Sequence, residues 1–205
     1  MRKLLTILLS VCVAFGCISL AACSEPEPTT GNANQVTAAE YATAMQFNGN
    51  LKFVMDTVNT DYQATTTYLI DGDKIEMKNV QGVEETGHIY LSKDGDEYFM
   101  YSQVDSAWVK SPSNEQSYTY YQDFPSVALR AYASVTFDML QYDETEKCYT
   151  FTQSGEGISG VFKIYFENKK VTKLVSVVTH TEDGETVNTQ IVFSYNETIT
   201  LPSVA

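Results

Sequence analysis

Asp-Gly turns set between runs of alternating apolar and polar residues constrain this chain more than any other feature. They occur at Asp71-Gly72-Asp73, Asp94-Gly95-Asp96 and Asp183-Gly184-Glu185. Glycine adopts the left-handed backbone of a tight hairpin without steric cost. Asp-Gly between β-branched or aromatic runs is therefore the strongest short-range hairpin signal. The flanks fit it. Leu51, Phe53 and Met55 alternate with Lys52, Val54 and Asp56, and residues 65–70 are strand formers leading through the first turn into 74–78. Residues 87–92 and 97–103 flank the second turn, and 148–153, 161–167, 171–181 and 186–196 continue the pattern. Phe162, Ile164 and Phe166 stand on one face against Lys163 and Glu167 on the other. One covered face and one wet face mark an antiparallel sheet. About eleven strands are predicted.

A sheet of that length twists and curls, and its apolar face needs a cover. Two segments have helical patterning. Residues 37–46 carry Thr37 and Glu40 at capping-box spacing. Residues 118–134 place Phe124, Val127, Ala128, Ala131 and Tyr132 on one helical side, with Pro125 suited to a first turn. The expected fold is mainly β (α+β): a curved antiparallel sheet or half-barrel of about eleven strands. One short N-terminal helix and one middle helix cover its concave face.

The N-terminus reads as a secretion signal. Arg2 and Lys3 precede an almost wholly apolar run over 4–20, which ends in Leu20-Ala21-Ala22-Cys23. That ending resembles the lipobox of bacterial lipoproteins, which implies a diacylglyceryl group on Cys23 and cleavage before it. The layout is then a signal peptide over 1–22, a lipidated cysteine with a disordered tether over 23–36, and a single domain over 37–205. The tether, SEPEPTTGNANQ, has no aliphatic residue with which to order itself.

Removing 1–22 leaves 11 basic residues against 26 acidic, a net charge of −15. A body this acidic lacks the basic footprint of nucleic-acid binding and cannot grip anionic lipid heads. Cys12 and Cys17 leave with the signal and Cys23 is acylated, so Cys148 has no partner for an internal disulfide.

Catalytic patterns are missing. His88 and His180 stand far apart, and Gly157-Ile158-Ser159-Gly160 lacks nucleophile-elbow spacing. The Asp-Gly turns supply too few oxygens for an EF-hand. No catalytic residue, metal or cofactor is expected, and the chain is expected not to be an enzyme. Aromatic residues are the one excess that could carry function. Tyr98, Tyr101, Trp108, Tyr121, Phe124 and Tyr132 form a candidate hydrophobic groove, with plain core packing as the alternative.

The lipobox, polar tether, short T-x-x-E-Y helix, "DGD" hairpins, Trp108, aromatic middle segment and closing FSYNETITLP together resemble the LolA-like superfamily. Its LppX- and LprG-type members are lipid-carrying lipoproteins. The resemblance implies a half-barrel with helices at its mouth and a lipid in the concavity, although this chain has less helical material for a lid. The expectation is a monomer, lipid-anchored at the extracytoplasmic face of the cell membrane, binding a lipid or other hydrophobic small molecule. The alternative is a non-enzymatic cell-surface interaction module with a filled core, pairing with partners by strand addition.

Overall fold

The computed structural model describes residues 33–204, apart from Asn48, Glu156 and the Ala133 side chain. The signal, Cys23 and most of the tether lie outside the described residues.

Helix α1 (Ala38–Ala44) begins as its sequence predicts. The Thr37 hydroxyl accepts from the Glu40 backbone N–H at 3.3 Å, and the Glu40 carboxylate accepts from the Thr37 N–H at 2.9 Å. Each side chain satisfies a donor that the first helical turn leaves open. Tyr41 is the buried residue of this helix, and its hydroxyl donates to the Val135 carbonyl at 3.0 Å.

Eleven antiparallel strands follow: β1 (Leu51–Val58), β2 (Gln63–Asp71), β3 (Lys74–Gln81), β4 (Glu84–Asp94), β5 (Glu97–Val104), β6 (Ala107–Pro112), β7 (Gln141–Asp143), β8 (Cys148–Gly155), β9 (Ile158–Glu167), β10 (Lys170–His180) and β11 (Thr186–Tyr195). They form one open sheet in the order β6-β5-β4-β3-β2-β1-β11-β10-β9-β8-β7. Two hairpin meanders therefore run outward from a central seam, where the first strand pairs with the last, Leu51 opposite Tyr195 and Val58 opposite Asn188. Gly72 and Gly95 sit at φ +56° and +60°, which is why the Asp-Gly turns need glycine. The free edges are blunted. Strand β6 carries Lys110 and Pro112, and β7 is only three residues long.

The segment linking the meanders departs from the expected single helix over 118–134. It is three short helices, α2 (Glu115–Gln122), α3 (Phe124–Ala128) and α4 (Arg130–Ala133), then a 3-10 turn at Phe137–Met139. Proline has no N–H and crowds the residue before it, so Pro125 starts α3 and cannot continue α2. Leu129, at φ −102° and ψ 5°, breaks α3 from α4.

Strand register sorts the side chains. On the helix-covered face stand Leu51, Phe53, Tyr68, Ile75, Leu91, Ile164, Leu174 and Ile191, all essentially inaccessible. Phe53 is central: its ring centroid lies 5.1 Å from Tyr68, 6.0 Å from Phe193 and 6.1 Å from Phe124.

The opposite face is partly covered too. Leu69, Tyr101 and Ile199 are buried yet stand apart from the main core cluster. Asp71 Oδ2 accepts from the Ile199 N–H at 3.0 Å, and Lys74 Nζ donates to the Ile199 carbonyl at 3.2 Å. The C-terminal segment is thereby strapped to the outer side of β2 and β3. Asp71 Oδ1 accepts from Asn50 at 2.7 Å, so this turn carboxylate is spent on holding the chain. Cys148 is buried and free, and its burial pushes the thiol above its ordinary pKa; a buried, protonated thiol is a poor nucleophile.

Candidate functional site

A half-open cleft of about 270 Å³ lies between the middle helices and strands β3 and β4, lined by Met77, Asn79, Gly87, Ile89, Tyr120, Tyr121 and Phe124. Its roof follows from local sequence. Asn114 caps α2, accepting from the Ser117 N–H at 2.8 Å, and Tyr118 packs on Tyr98 with centroids 5.4 Å apart. The break at Asp123-Phe124-Pro125 then turns the chain so that Tyr121 closes α2 and Phe124 opens α3 over the same strands. Phe124 lies nearly parallel to Phe53, at 13°, and 5.6 Å from Tyr68. The Tyr68 hydroxyl donates to the Tyr121 carbonyl at 3.1 Å, tying the roof to β2. Burial first, then the nearby Tyr118 phenol and Asp123 carboxylate, pushes the Tyr68 phenol far above its ordinary pKa. Burial, with Tyr120 adding to it, also raises Tyr121. Both remain neutral hydrogen-bonding groups.

The floor is set by register. Met77 pairs with Ile89, and Asn79 with Gly87, on the covered face. The Thr66 hydroxyl donates to Asn79 Oδ1 at 2.8 Å. That bond orients the amide and leaves Nδ2 on the Gly87 side, where a β-carbon built on Gly87 would meet only Nδ2, at 4.0 Å. The floor therefore combines apolar surface, an open space above a glycine, and an amide donor.

Of the six aromatic residues proposed from sequence, Tyr121 and Phe124 line this cleft. Tyr98 is on the same face, against Tyr118. Tyr132 lies several strands away, edge-on to Phe151 and Phe162 at 6.1 and 5.6 Å. Its hydroxyl is buried and makes no hydrogen bond among the described residues. Tyr101 and Trp108 stand on the opposite face, since Tyr101 pairs with Tyr90, and Trp108 with Gln103, in the other parity. Tyr120, from the same aromatic cluster in the sequence, also lines the cleft, whereas Met77, Asn79, Gly87 and Ile89 are lining residues that the sequence reading does not single out. Two signals were present: a polar Asn79 in the inward series after Ile75 and Met77, and a glycine interrupting the strand run at Gly87.

No protein family matches the chain, and no curated protein matches it. Among solved structures it is similar to "Structure of S-type Phycobiliprotein Lyase CPES from Guillardia theta", at 7% identity and a TM-score of 0.38, over 80% of this chain and 96% of that one. The expectation of a non-enzyme is not carried further, since the solved chain is by its title a lyase. At this similarity the likeness assigns no activity to the present chain.

Proposed function

We propose that this domain binds a small, predominantly apolar ligand bearing a hydrogen-bond acceptor, in the cleft between α2–α3 and β3–β4. The observation that carries the reading is the Asn79–Gly87 pair: an oriented amide donor beside a glycine that no steric contact and no left-handed φ requires. Apolar walls with a few placed polar groups are the usual chemistry of small-molecule sites. The volume selects among ligands. At about 270 Å³ the cleft is just below the roughly 300–1,000 Å³ of drug-sized pockets. It suits one acyl chain or a compact ring system with a carbonyl or hydroxyl, and it is too small for a lipid with several chains.

The sheet in this reading is bowed around the helices as a half-barrel. Tyr118 touches β5, while Tyr132 touches β8 and β9. Seven strand spacings separate β5 from β9, about 34 Å if the sheet were flat. The fourteen residues from Tyr118 to Tyr132 rise only about 21 Å as helix. Bending the sheet brings the two ends within reach. Lipidation of Cys23 would hold this binder at the extracytoplasmic face of the membrane, a reading that rests on Leu20-Ala21-Ala22-Cys23.

The test is displacement of a neutral fluorescent probe, N-phenyl-1-naphthylamine, by fatty acids and small aromatic ketones, alongside mass spectrometry of an organic extract of the purified protein. Gly87→Leu puts an apolar side chain into the cleft from a position where a β-carbon meets only Asn79 Nδ2, at 4.0 Å. It is expected to abolish probe binding while the melting curve stays cooperative. Undiminished probe binding by a folded Gly87→Leu protein would refute the site.

A further inference from the structure

The outer face of strands β3–β6 carries a second cluster unconnected with the cleft. His88, Tyr90 and Trp108 form a triangle of rings with centroids 5.0, 5.1 and 5.2 Å apart. Trp108 stands edge-on to the other two, at 83° and 71°. His88 Nε2 lies 2.8 Å from Glu76 Oε1, and its Nδ1 lies 3.6 Å from Glu85 Oε1. Lys78 Nζ contacts the other Glu85 oxygen at 2.5 Å. A register shift between Asn79 and Val80 makes this possible. The extra residue, Thr86, turns Glu85 onto the same side as His88; strict alternation would place it with Gly87, on the cleft side. Bulges commonly re-aim a side chain in this way. Beside the triangle, Lys110 Nζ lies 3.7 Å from the centroid of the Phe99 ring.

Three properties define what such a patch can recognise. It is aromatic but small: three half-buried rings expose far less than the roughly 800 Å² per partner of a stable protein interface. Its carboxylates already have partners, Glu85 in the Lys78 ammonium and Glu76 in a His88 ring nitrogen at 2.8 Å, so an incoming cation would have to displace an existing contact. Its rim carries the Glu76 carboxylate, which His88 and the Tyr90 hydroxyl engage through part of its acceptor capacity, and Gln103 pairs with Trp108 across β5 and β6. Aromatic rings have negative faces, which attract the weakly positive C–H groups of a saturated ring. A sugar ring presents C–H groups on its faces and hydroxyls, which both donate and accept, around its edge.

We propose that the His88–Tyr90–Trp108 triangle, with Glu76 at its rim, binds a neutral saccharide. The site is independent of the cleft, because strand parity puts the two on opposite faces of the same strands.

Trp108 is the chain's only tryptophan, so its emission reports on this site alone. The experiment titrates the purified protein with chitotriose, cellotriose and maltotriose, following tryptophan emission and heat. At least one sugar is expected to give a saturable emission change with measurable heat. Trp108→Ala should weaken binding about tenfold or more, equivalent to about 1.4 kcal/mol. Glu76→Gln should weaken it with Trp108 intact. Gly87→Leu, which fills the cleft, should leave the sugar response unchanged, so failure of either site can be told from failure of the other. The proposal is overturned by the absence of saturable heat with all three sugars at millimolar concentration. It is also overturned if folded Trp108→Ala or Glu76→Gln binds undiminished, or if the emission answers only to tetramethylammonium or to self-association.

Discussion

Two mid-strand glycines, neither in the left-handed region, should respond to alanine with opposite signs. At Gly160 a β-carbon would lie 2.7 Å from Cε2 of Phe162, 3.1 Å from its Cζ and 3.3 Å from Cγ2 of Val178. The Phe162 ring cannot step aside cheaply. It is stacked on Phe151 at 4.7 Å and 4°, with Tyr132 edge-on at 5.6 Å. Overpacking of this kind costs about 1–3 kcal/mol, offset in part by the 0.5–1 kcal/mol that glycine loses in unfolded-state entropy. Gly160→Ala should therefore lose about 1–2 kcal/mol net, or roughly 2–8 °C in Tm for a domain of this size. At Gly87 the new methyl meets only the Asn79 amide nitrogen, at 4.0 Å. Gly87→Ala should gain about 0.5–1 kcal/mol, a rise of roughly 1–4 °C, while weakening ligand binding in the cleft. Urea and thermal unfolding, monitored by circular dichroism, measure both. Adding Phe162→Leu to Gly160→Ala should recover part of the loss, since a smaller side chain gives the methyl room. If Gly160→Ala melts at or above the parent, or Gly87→Ala melts below it, the steric reasoning fails.

Phe53→Ala, which removes the ring that Tyr68, Phe124 and Phe193 share, should cost about 3–5 kcal/mol by denaturant titration. Tyr41 is 4% exposed, and burial raises its phenol to about 12. The unfolded chain releases this proton first, so the stabilisation is complete below about pH 10 and disappears as pH rises toward 12. It amounts to roughly 3 kcal/mol. Tyr41→Phe should flatten the alkaline fall in stability by up to that amount. Ending the chain after Asn196 removes the Ile199 strap from Asp71 and Lys74. Hydrogen exchange should then quicken in β2 and β3, with little change in β9 and β10. Cys148 should resist thiol reagents in the folded protein and react once urea unfolds it.

The local elements were legible because the forces that make them are local. Asp-Gly turns, period-two patterning and the Thr37–Glu40 capping box each act over a few residues, and α1 and nine of the strands lie where those signals place them, while the two edge strands β6 and β7 carry no such signal. The middle segment was misjudged as one helix because its apolar spacing is helical throughout, while the interruptions at Pro125 and Leu129 act on the backbone and leave that spacing intact. The sequence by itself determined hairpins in succession, one strongly apolar face and an acidic body. Tertiary structure decided the seam between β1 and β11, which joins residues with no short-range signal for each other. It also decided which aromatics meet. Tyr121 and Phe124 reach the cleft floor on β3 and β4, while Trp108 joins His88 and Tyr90 on the far side. The face a side chain takes follows from strand register, and a single extra residue such as Thr86 reverses it.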